Sequence, residues 1–260
     1  MTRRELLGCV QTMQTGLHAT DDARQLVMHA CHISHAELLT HPEQSVSWIE
    51  RAHAMHLARR RRCSTPIAYL THQRAFFGRD FFVNKHVLIP RPETEPLIEL
   101  ALPRAAHAKT IVDIGTGSGA IAITIACETQ KSVIAIDCSR SALAVAKKNA
   151  RRHRVEHLVS FLHDKYLNPL NTLASPFLIL ANLPYLSEAM LRESPEEVRD
   201  FEPHVALVGD KNDGLDCYRE LFRQIQHRVQ EGAWGHCLVE FDPRQEHALV
   251  HIVRQLLPTA

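Results

Sequence analysis

At 260 residues the chain has room for one large domain, or for a medium domain with a small one. Hydrophobic residues at 45% and charged residues at 23% exclude a disordered chain, and a formal net charge of +1 speaks against a surface built throughout to hold nucleic acid. No apolar run nears the roughly 18 residues of a membrane span, and residues 1–7, charged from Arg3 onward, lack the apolar core of a signal peptide, so a cytoplasmic protein is expected.

Leu6, Leu7, Val10, Met13 and Leu17 recur at helical spacing and predict a first helix. Asp21 and Asp22 read as a cap before a helix over residues 23–31, and Ser34 as the cap of a short turn through residue 39. Pro42-Glu43 reads as the opening of a longer helix to residue 62, since proline is tolerated in a first helical turn. Arg59-Arg60-Arg61-Arg62 ends that helix. Cations suit the C-terminal end of the helix dipole, so a solvated turn is expected in preference to a contact with an acidic partner or RNA.

Residues 76–82 and 86–89 are short aromatic or β-branched runs with Asn84-Lys85 between them, which predicts a β-hairpin. Pro90-Arg91-Pro92 stops it, and Glu93-Thr94-Glu95 begins a helix with acids in its first turn. From Lys109 onward strands and helices alternate. Strands are predicted over 110–114, 132–136, 158–162 and 177–181 and helices over 120–127 and 141–151 (capped by Ser139 or Ser141), while 237–241 and 251–257 fit final strands or a strand-helix pair. Such alternation implies an α/β fold with parallel strands and helices on both faces. The expected organisation is a helical domain over 1–72, a linking β-hairpin over 73–92 and an α/β domain over 93–260.

Seven cysteines (9, 31, 63, 127, 138, 217 and 237) form no C-x-x-C spacing, so neither a disulfide framework nor a zinc knuckle is indicated. Among 18 histidines, His29, His32 and His35 fall three apart on a predicted helix, but no H-E-x-x-H or carboxylate accompanies them at ligand spacing. No metal site is expected.

The strongest local signal is Val112-Asp113-Ile114-Gly115-Thr116-Gly117-Ser118-Gly119-Ala120, a strand running into a glycine-rich turn that opens a helix. Glycines let the backbone approach a ligand, and the helix N-terminus supplies unpaired N–H groups. Asp113, at the strand end, is placed to meet a bound amino group. Asp137 ends the second strand, where a carboxylate accepts hydrogen bonds from both ribose hydroxyls. Asp164 follows the third strand, where an adenine edge would fall, with Lys165 beside the ring. Either aspartate alone reads equally as a turn or cap residue. The ordered set, at the carboxyl ends of successive strands, resembles class I methyltransferases that bind S-adenosylmethionine, which implies cofactor contacts at Gly115, Thr116, Gly117, Ser118, Gly119, Asp137, Asp164 and Lys165, and at Asn182 after the fourth strand.

Asn182-Leu183-Pro184-Tyr185, after the fourth strand, resembles the N/D-P-P-Y/F signature of methyltransferases acting on exocyclic nitrogens. An amide nitrogen is a poor nucleophile because its lone pair is delocalised. The Asn182 side-chain oxygen and the Leu183 carbonyl can each accept one N–H of a substrate NH₂ group, which fixes the nitrogen against the methyl group. Pro184 stiffens the loop, and Tyr185 offers a flat face to a planar amide or base.

Pro66-Ile67-Ala68-Tyr69-Leu70, Phe76-Phe77-Gly78 and Leu88-Ile89-Pro90-Arg91-Pro92-Glu93-Thr94-Glu95 are similar to the release-factor glutamine methyltransferases, the HemK/PrmC family. So are Glu202-Pro203-His204-Val205-Ala206-Leu207 and Asp213-Gly214-Leu215-Asp216. The resemblance covers most of the chain from Pro66 onward. It implies a class I, Rossmann-like methyltransferase with a mostly parallel sheet, and a small N-terminal helical domain that helps dock a class 1 peptide chain release factor. The methyl group would go from S-adenosylmethionine to the glutamine of that factor's Gly-Gly-Gln loop. A monomer is expected, with no membrane and no nucleic acid as direct substrate.

The chain departs from the family at Leu183, where proline is usual, at Phe177, which replaces an acidic residue, and at His72 and Ala75, where Gly and Glu are common. N-L-P-Y is also the form found in ribosomal RNA adenine dimethyltransferases, but those carry their extra domain after the catalytic one and are markedly basic. A ribosomal-protein glutamine methyltransferase, and a cofactor-binding module without activity, are the other readings.

Overall fold

The computed structural model describes residues 1–14 and 18–258. The chain folds as two compact units, Met1–Gln73 with Glu196–Phe201, and Arg74–Pro195 with Glu202–Ala260. Helices α1 (Arg3–Met13), α2 (Ala19–Cys31), α3 (His35–Thr40), α4 (Trp48–Arg62) and α5 (Ile67–Thr71) build the first unit. Thr2, Ser34 and Ser47 cap α1, α3 and α4, each accepting the N–H three residues on, while Glu5, Glu37 and Glu50 reach back to the cap N–H. Two otherwise unpaired donors are satisfied at each start. The capping box at Ser47 corrects the expected opening of α4 at Pro42-Glu43: the helix begins five residues later, at Trp48.

Leu6, Val10, Leu26, Val27, Ala54 and Leu57 meet in the core of this unit, with Leu7 and Met13 packed against it. Leu17 lies outside the described residues. Asp22 is not a cap. It sits inside the first turn of α2, where its carboxylate receives Arg61 Nε at 2.6 Å. Arg61 also reaches Glu197 at 2.6 Å. Of the four arginines ending α4, Arg59, Arg60 and Arg62 are exposed as expected, whereas Arg61 turns inward. His29, His32 and His35 share no helical face: His29 lies in the last turn of α2, His32 is its left-handed C-cap and His35 opens α3. Among the described residues no group of His, Cys, Asp and Glu is arranged to hold a metal ion, and no helix is long and apolar enough to cross a membrane.

The second unit begins with the hairpin β1 (Arg74–Phe76) and β2 (Arg79–Phe81), in antiparallel register Arg74↔Phe81. Its turn is Phe77-Gly78, with φ of 47° and 70°, the left-handed pair that a two-residue hairpin turn requires. The hairpin expected from 76–82 and 86–89 is therefore displaced, and residues 82–91 form no strand. Asn84 makes a local turn instead, its side chain accepting the His86 N–H at 3.0 Å.

Then follow α6 (Glu95–Ala105), β3 (Thr110–Ile114), α7 (Ala120–Thr129), β4 (Val133–Asp137), α8 (Arg140–Arg152), β5 (Val159–His163) and β6 (Phe177–Ala181). After them come β7 (Leu186–Ser187), α9 (Glu188–Glu193), α10 (Glu196–Arg199), β8 (Val208–Asp210), α11 (Asp216–Gln230), β9 (Gly235–Val239) and α12 (Glu246–Leu256). Strands β7 and β8 pair separately, and the main sheet has the order β5-β4-β3-β6-β9, parallel throughout. The α/β fold with parallel strands expected from the alternation is the one observed, with each predicted strand of the main sheet within two residues of its place.

Side chains alternate across the sheet. Ile111, Leu178 and Leu180 pack with Leu97 and Ile98 of α6 and Ile123 and Ile125 of α7. Val112, Ile114 and Ile179 pack with Leu221, Phe222 and Ile225 of α11 and with Leu249 and Ile252 of α12. With both faces covered, β6 is buried along its whole length, which is why it reads as an unbroken apolar run. The chain builds outward from β3 through β4 to β5, then returns to add β6 on the other side. That reversal opens a crevice at the carboxyl ends of β3 and β6.

Candidate active site

Five residues, Gly115 to Gly119, carry the chain from β3 to α7, with positive φ at Gly115, Gly117 and Gly119. Asp113 holds this loop from inside. It is fully buried, and its Oδ2 accepts the Thr116 hydroxyl at 2.6 Å and the Ala122 N–H at 3.1 Å. Its Oδ1 is buried with no partner among the described residues. Asp113 shares the strand face of Ile111, turned into the protein, so it ties the loop and does not meet the hollow in which an amino group was expected.

Burial pushes the Asp113 carboxyl up to about 7, against the lowering effect of its two hydrogen bonds. A carboxyl whose folded value is raised stabilises the fold below its unfolded value near 3.8, and that contribution is lost as the pH climbs to about 7. Relative to Asp113→Asn, the wild type is expected to lose about 4 kcal/mol of stability across that interval. Urea unfolding of both proteins at the two ends of the interval measures it; a constant gap would contradict the assignment.

A cavity of about 200 Å³ lies over the crevice. It brings together Gly115, Gly117, Asp137, Asp164, Lys165, Asn182, Leu183 and Pro184. Asp137 ends β4 with Oδ2 accepting the Gly117 N–H and Oδ1 accepting the Ser139 N–H, each at 2.8 Å. Burial raises its carboxyl, while those two N–H groups and His163 hold it down. Each oxygen keeps a further lone pair for a ligand. Asp164 accepts the Lys165 N–H at 2.7 Å, and its own N–H donates to the Asp137 carbonyl at 3.2 Å, so the two loops are joined.

Thr116 and Ser118 line a smaller hollow of about 50 Å³, with Thr94, Arg91 and Asn182. Gly119 lines neither. It is the left-handed N-cap of α7, and a Cβ there would stand 2.7 Å from Ile123 Cδ1 and 3.1 Å from Ala146 Cβ. Its lack of a side chain serves close packing.

Asn182 borders both hollows. Its Nδ2 donates to Thr94 Oγ1 at 3.1 Å, which orients the amide and leaves Oδ1 as the free acceptor. Glu240, just beyond β9, lies against Thr94, Tyr185 and Asn182, and burial pushes its carboxyl up. Tyr185 lines neither hollow; its hydroxyl points at Glu240 Oε1 at 3.4 Å, and burial and that carboxylate push the phenol up to about 12. The Tyr185 carbonyl accepts Gln245 Nε2 at 2.6 Å, and the same nitrogen reaches the Asp213 carbonyl at 2.6 Å. A Cβ on Gly214 would run into the Tyr185 carbonyl, so the Asp213-Gly214-Leu215-Asp216 segment braces the loop at backbone contact distance. Glu202 accepts the Ile89 N–H at 3.1 Å and pairs with Arg91, which ties the segment after Leu88 to the one beginning at Glu202.

Thr94, Tyr218, Glu240 and Gln245 were not singled out from the sequence. Thr94 stands within a recognised segment and Glu240 at a strand end, but Tyr218 and Gln245 arrive from helix starts whose spacing carries no signal for the loop.

Residues 15–71 match the PrmC N-terminal domain and residues 94–193 the Methyltransferase small domain. The release factor glutamine methyltransferase of Koribacter versatilis is 37% identical over 216 residues, covering 82% of this chain and 76% of that one. The chain belongs to the release factor glutamine methyltransferase family. The family's Neisseria gonorrhoeae member is 37% identical over 215 residues, 82% of this chain and 77% of its own. Its Nitratidesulfovibrio vulgaris member is 42% identical over 189 residues, and there the match spans 72% of this chain and 64% of the relative. In fold, this chain is similar to the hMettl16 catalytic domain solved in complex with a MAT2A 3′UTR hairpin, at a TM-score of 0.51 and 16% identity over 79% of this chain and 71% of that one. Within the release factor glutamine methyltransferase family, this chain's Tyr218, Glu240 and Gln245 lie beyond both matched segments.

Proposed function

We propose that the chain transfers a methyl group from S-adenosylmethionine to the side-chain amide nitrogen of the glutamine in the Gly-Gly-Gln loop of class 1 peptide chain release factors. The observation that carries this is Asn182, with its amide nitrogen tied to Thr94 and its oxygen left free at the cavity that also holds Asp137.

The residues fit the cofactor. An elongated nucleoside needs acceptors for its ribose hydroxyls, apolar walls for its base and close backbone approach. Asp137, the Ile136 and Ala142 walls, and the glycine loop supply these along one cavity. Gly115 has a left-handed φ of 73°, and a Cβ there would press on Leu183 Cδ2 at 3.0 Å, so glycine suits the point where the two loops converge. Asp164 and Lys165 would hold the adenine end. When bound, S-adenosylmethionine supplies a methyl group on a positively charged sulfur.

The chain's own residues do the rest. Asn182 Oδ1 and the Leu183 carbonyl each accept one N–H of the glutamine amide, holding its nitrogen toward the methyl donor and favouring loss of planarity as the bond forms. Pro184 limits the loop's freedom. Glu240 and Thr94 keep Asn182 from flipping. The unit of Met1–Gln73 with Glu196–Phe201 docks the release factor, and the unit of Arg74–Pro195 with Glu202–Ala260 carries the reaction. The enzyme works as a monomer in the cytoplasm, where its substrate acts.

Incubation with labelled S-adenosylmethionine and, in separate reactions, release factor, ribosomal protein or ribosomal RNA tests the assignment. Label is expected on the Gly-Gly-Gln glutamine. Label on a ribosomal-protein glutamine would move the substrate, and label on RNA adenine would overturn the reading.

A further inference from the structure

Leu183 gives the reaction loop a backbone N–H that a proline there would lack. The residue is 5% exposed, so this donor is shut away from water. It donates to the Tyr218 hydroxyl at 3.2 Å, across 35 positions of sequence. The same hydroxyl donates to the Glu240 main-chain carbonyl. Tyr218 is fully buried in the first turn of α11, its ring stacked on Phe222 at 6.1 Å between centroids. One hydroxyl thus accepts from the loop after β6 and donates to the segment after β9. Burial pushes the phenol well above its ordinary value, so it keeps the proton it donates.

The Leu183 N–H lies in one rigid plane with the Asn182 carbonyl. Holding that plane sets the direction in which the chain leaves Asn182 and fixes the Leu183 Cα from which the Leu183 carbonyl projects. We propose that Tyr218 is a positioning residue for the reaction: its hydroxyl holds the Asn182–Leu183 peptide so that the Asn182 side-chain oxygen and the Leu183 carbonyl converge on one substrate NH₂ group. This rests on the reading of the loop given under Proposed function. The alternative is that Tyr218 only fills the core, a role that phenylalanine serves equally well.

The two are separated by Tyr218→Phe in two backgrounds. In the natural background it strands the buried Leu183 N–H, and kcat for methylation of a Gly-Gly-Gln-containing release factor is expected to fall about tenfold. In Leu183→Pro there is no N–H to strand, and the same substitution is expected to cost no more than about threefold. Within each background, Tyr218→Phe should change affinity for S-adenosylhomocysteine by less than about threefold, since Tyr218 does not line the cavity. Equal losses in the two backgrounds, or no loss in the first, would overturn the proposal.

Hydrogen exchange of the Leu183 amide is the second measurement and needs no turnover. Its protection is expected to drop about tenfold in Tyr218→Phe; unchanged protection would overturn the proposal even where Leu183→Pro is too slow to assay. A wild type that leaves release-factor glutamine unmethylated, yet loses Leu183 protection in Tyr218→Phe, would refute the substrate and leave the positioning contact standing.

Discussion

Replacing Asn182 by alanine is expected to lower kcat for methyl transfer by two to three orders of magnitude, roughly what loss of one preorganised hydrogen-bonding group costs an acyl-transfer enzyme. The side chain does two things at once. Its oxygen is the acceptor left free at the cavity, and its nitrogen is committed to Thr94. Alanine removes the acceptor and also releases Thr94, beside which Glu240 is already short of partners, its Oε2 buried and unpaired among the described residues. Affinity for S-adenosylhomocysteine should change by less than about threefold, because the proposed ribose and base contacts lie on Asp137 and the neighbouring loops. Rapid-mixing kinetics under saturating cofactor separate the two quantities. Methyl transfer that persists undiminished would falsify the proposed presentation of the amide.

The second large effect is expected at Asp137, and there the order reverses. Asp137→Ala should weaken cofactor affinity about a hundredfold, the worth of two hydrogen bonds to a charged group. Two losses combine. The ribose hydroxyls lose the acceptor proposed for them, and the glycine loop loses the carboxylate that receives the Gly117 N–H at 2.8 Å. Asp137→Asn divides them, because an amide oxygen can still accept one N–H while the other position becomes a donor. Calorimetric titration with S-adenosylhomocysteine should therefore rank the proteins wild type, Asn, then Ala. An affinity in Asp137→Ala equal to that of the wild type would remove Asp137 from the cofactor site.

The parts of this protein that could be read in advance are those whose physics is local. Strand β6 announced itself as Phe177 to Ala181 because a strand covered on both faces has no polar side to show. The glycine loop was legible because Gly115, Gly117 and Gly119 take left-handed backbone without the strain a side chain brings there. Caps were read unevenly: Ser34 was found, but Ser47 with Glu50 was passed over for Pro42, since proline marks a permitted helix start and a capping box an enforced one. The hairpin was misplaced because Asn84-Lys85 looks like a turn and is one, while Phe77-Gly78 hid a tighter turn inside an aromatic run. Asp113 shows the limit at the site. Its place beside the glycines suggested a ligand contact, but the alternation of β3 turns it inward, onto Thr116 and Ala122. Long-range braces left no trace in spacing, and Tyr218 with Glu240 and Gln245 with Tyr185 were visible only once the chain was folded.

The short stretch Glu196–Phe201 bears on how far this protein can be treated as modular. It belongs with the N-terminal helices, where Glu197 meets Arg61 and Glu196 receives the Ser64 hydroxyl at 2.7 Å, yet it is encoded between the reaction loop and Glu202. A gene fusion that exchanged residues 1–73 for another helical module would leave behind a six-residue graft matched to the discarded one. Its two ends run directly into the segments that carry the Asn182 loop and the Glu202 tie. Recombination at a single crossover therefore divides the helical unit, and a functional chimaera has to exchange both pieces together.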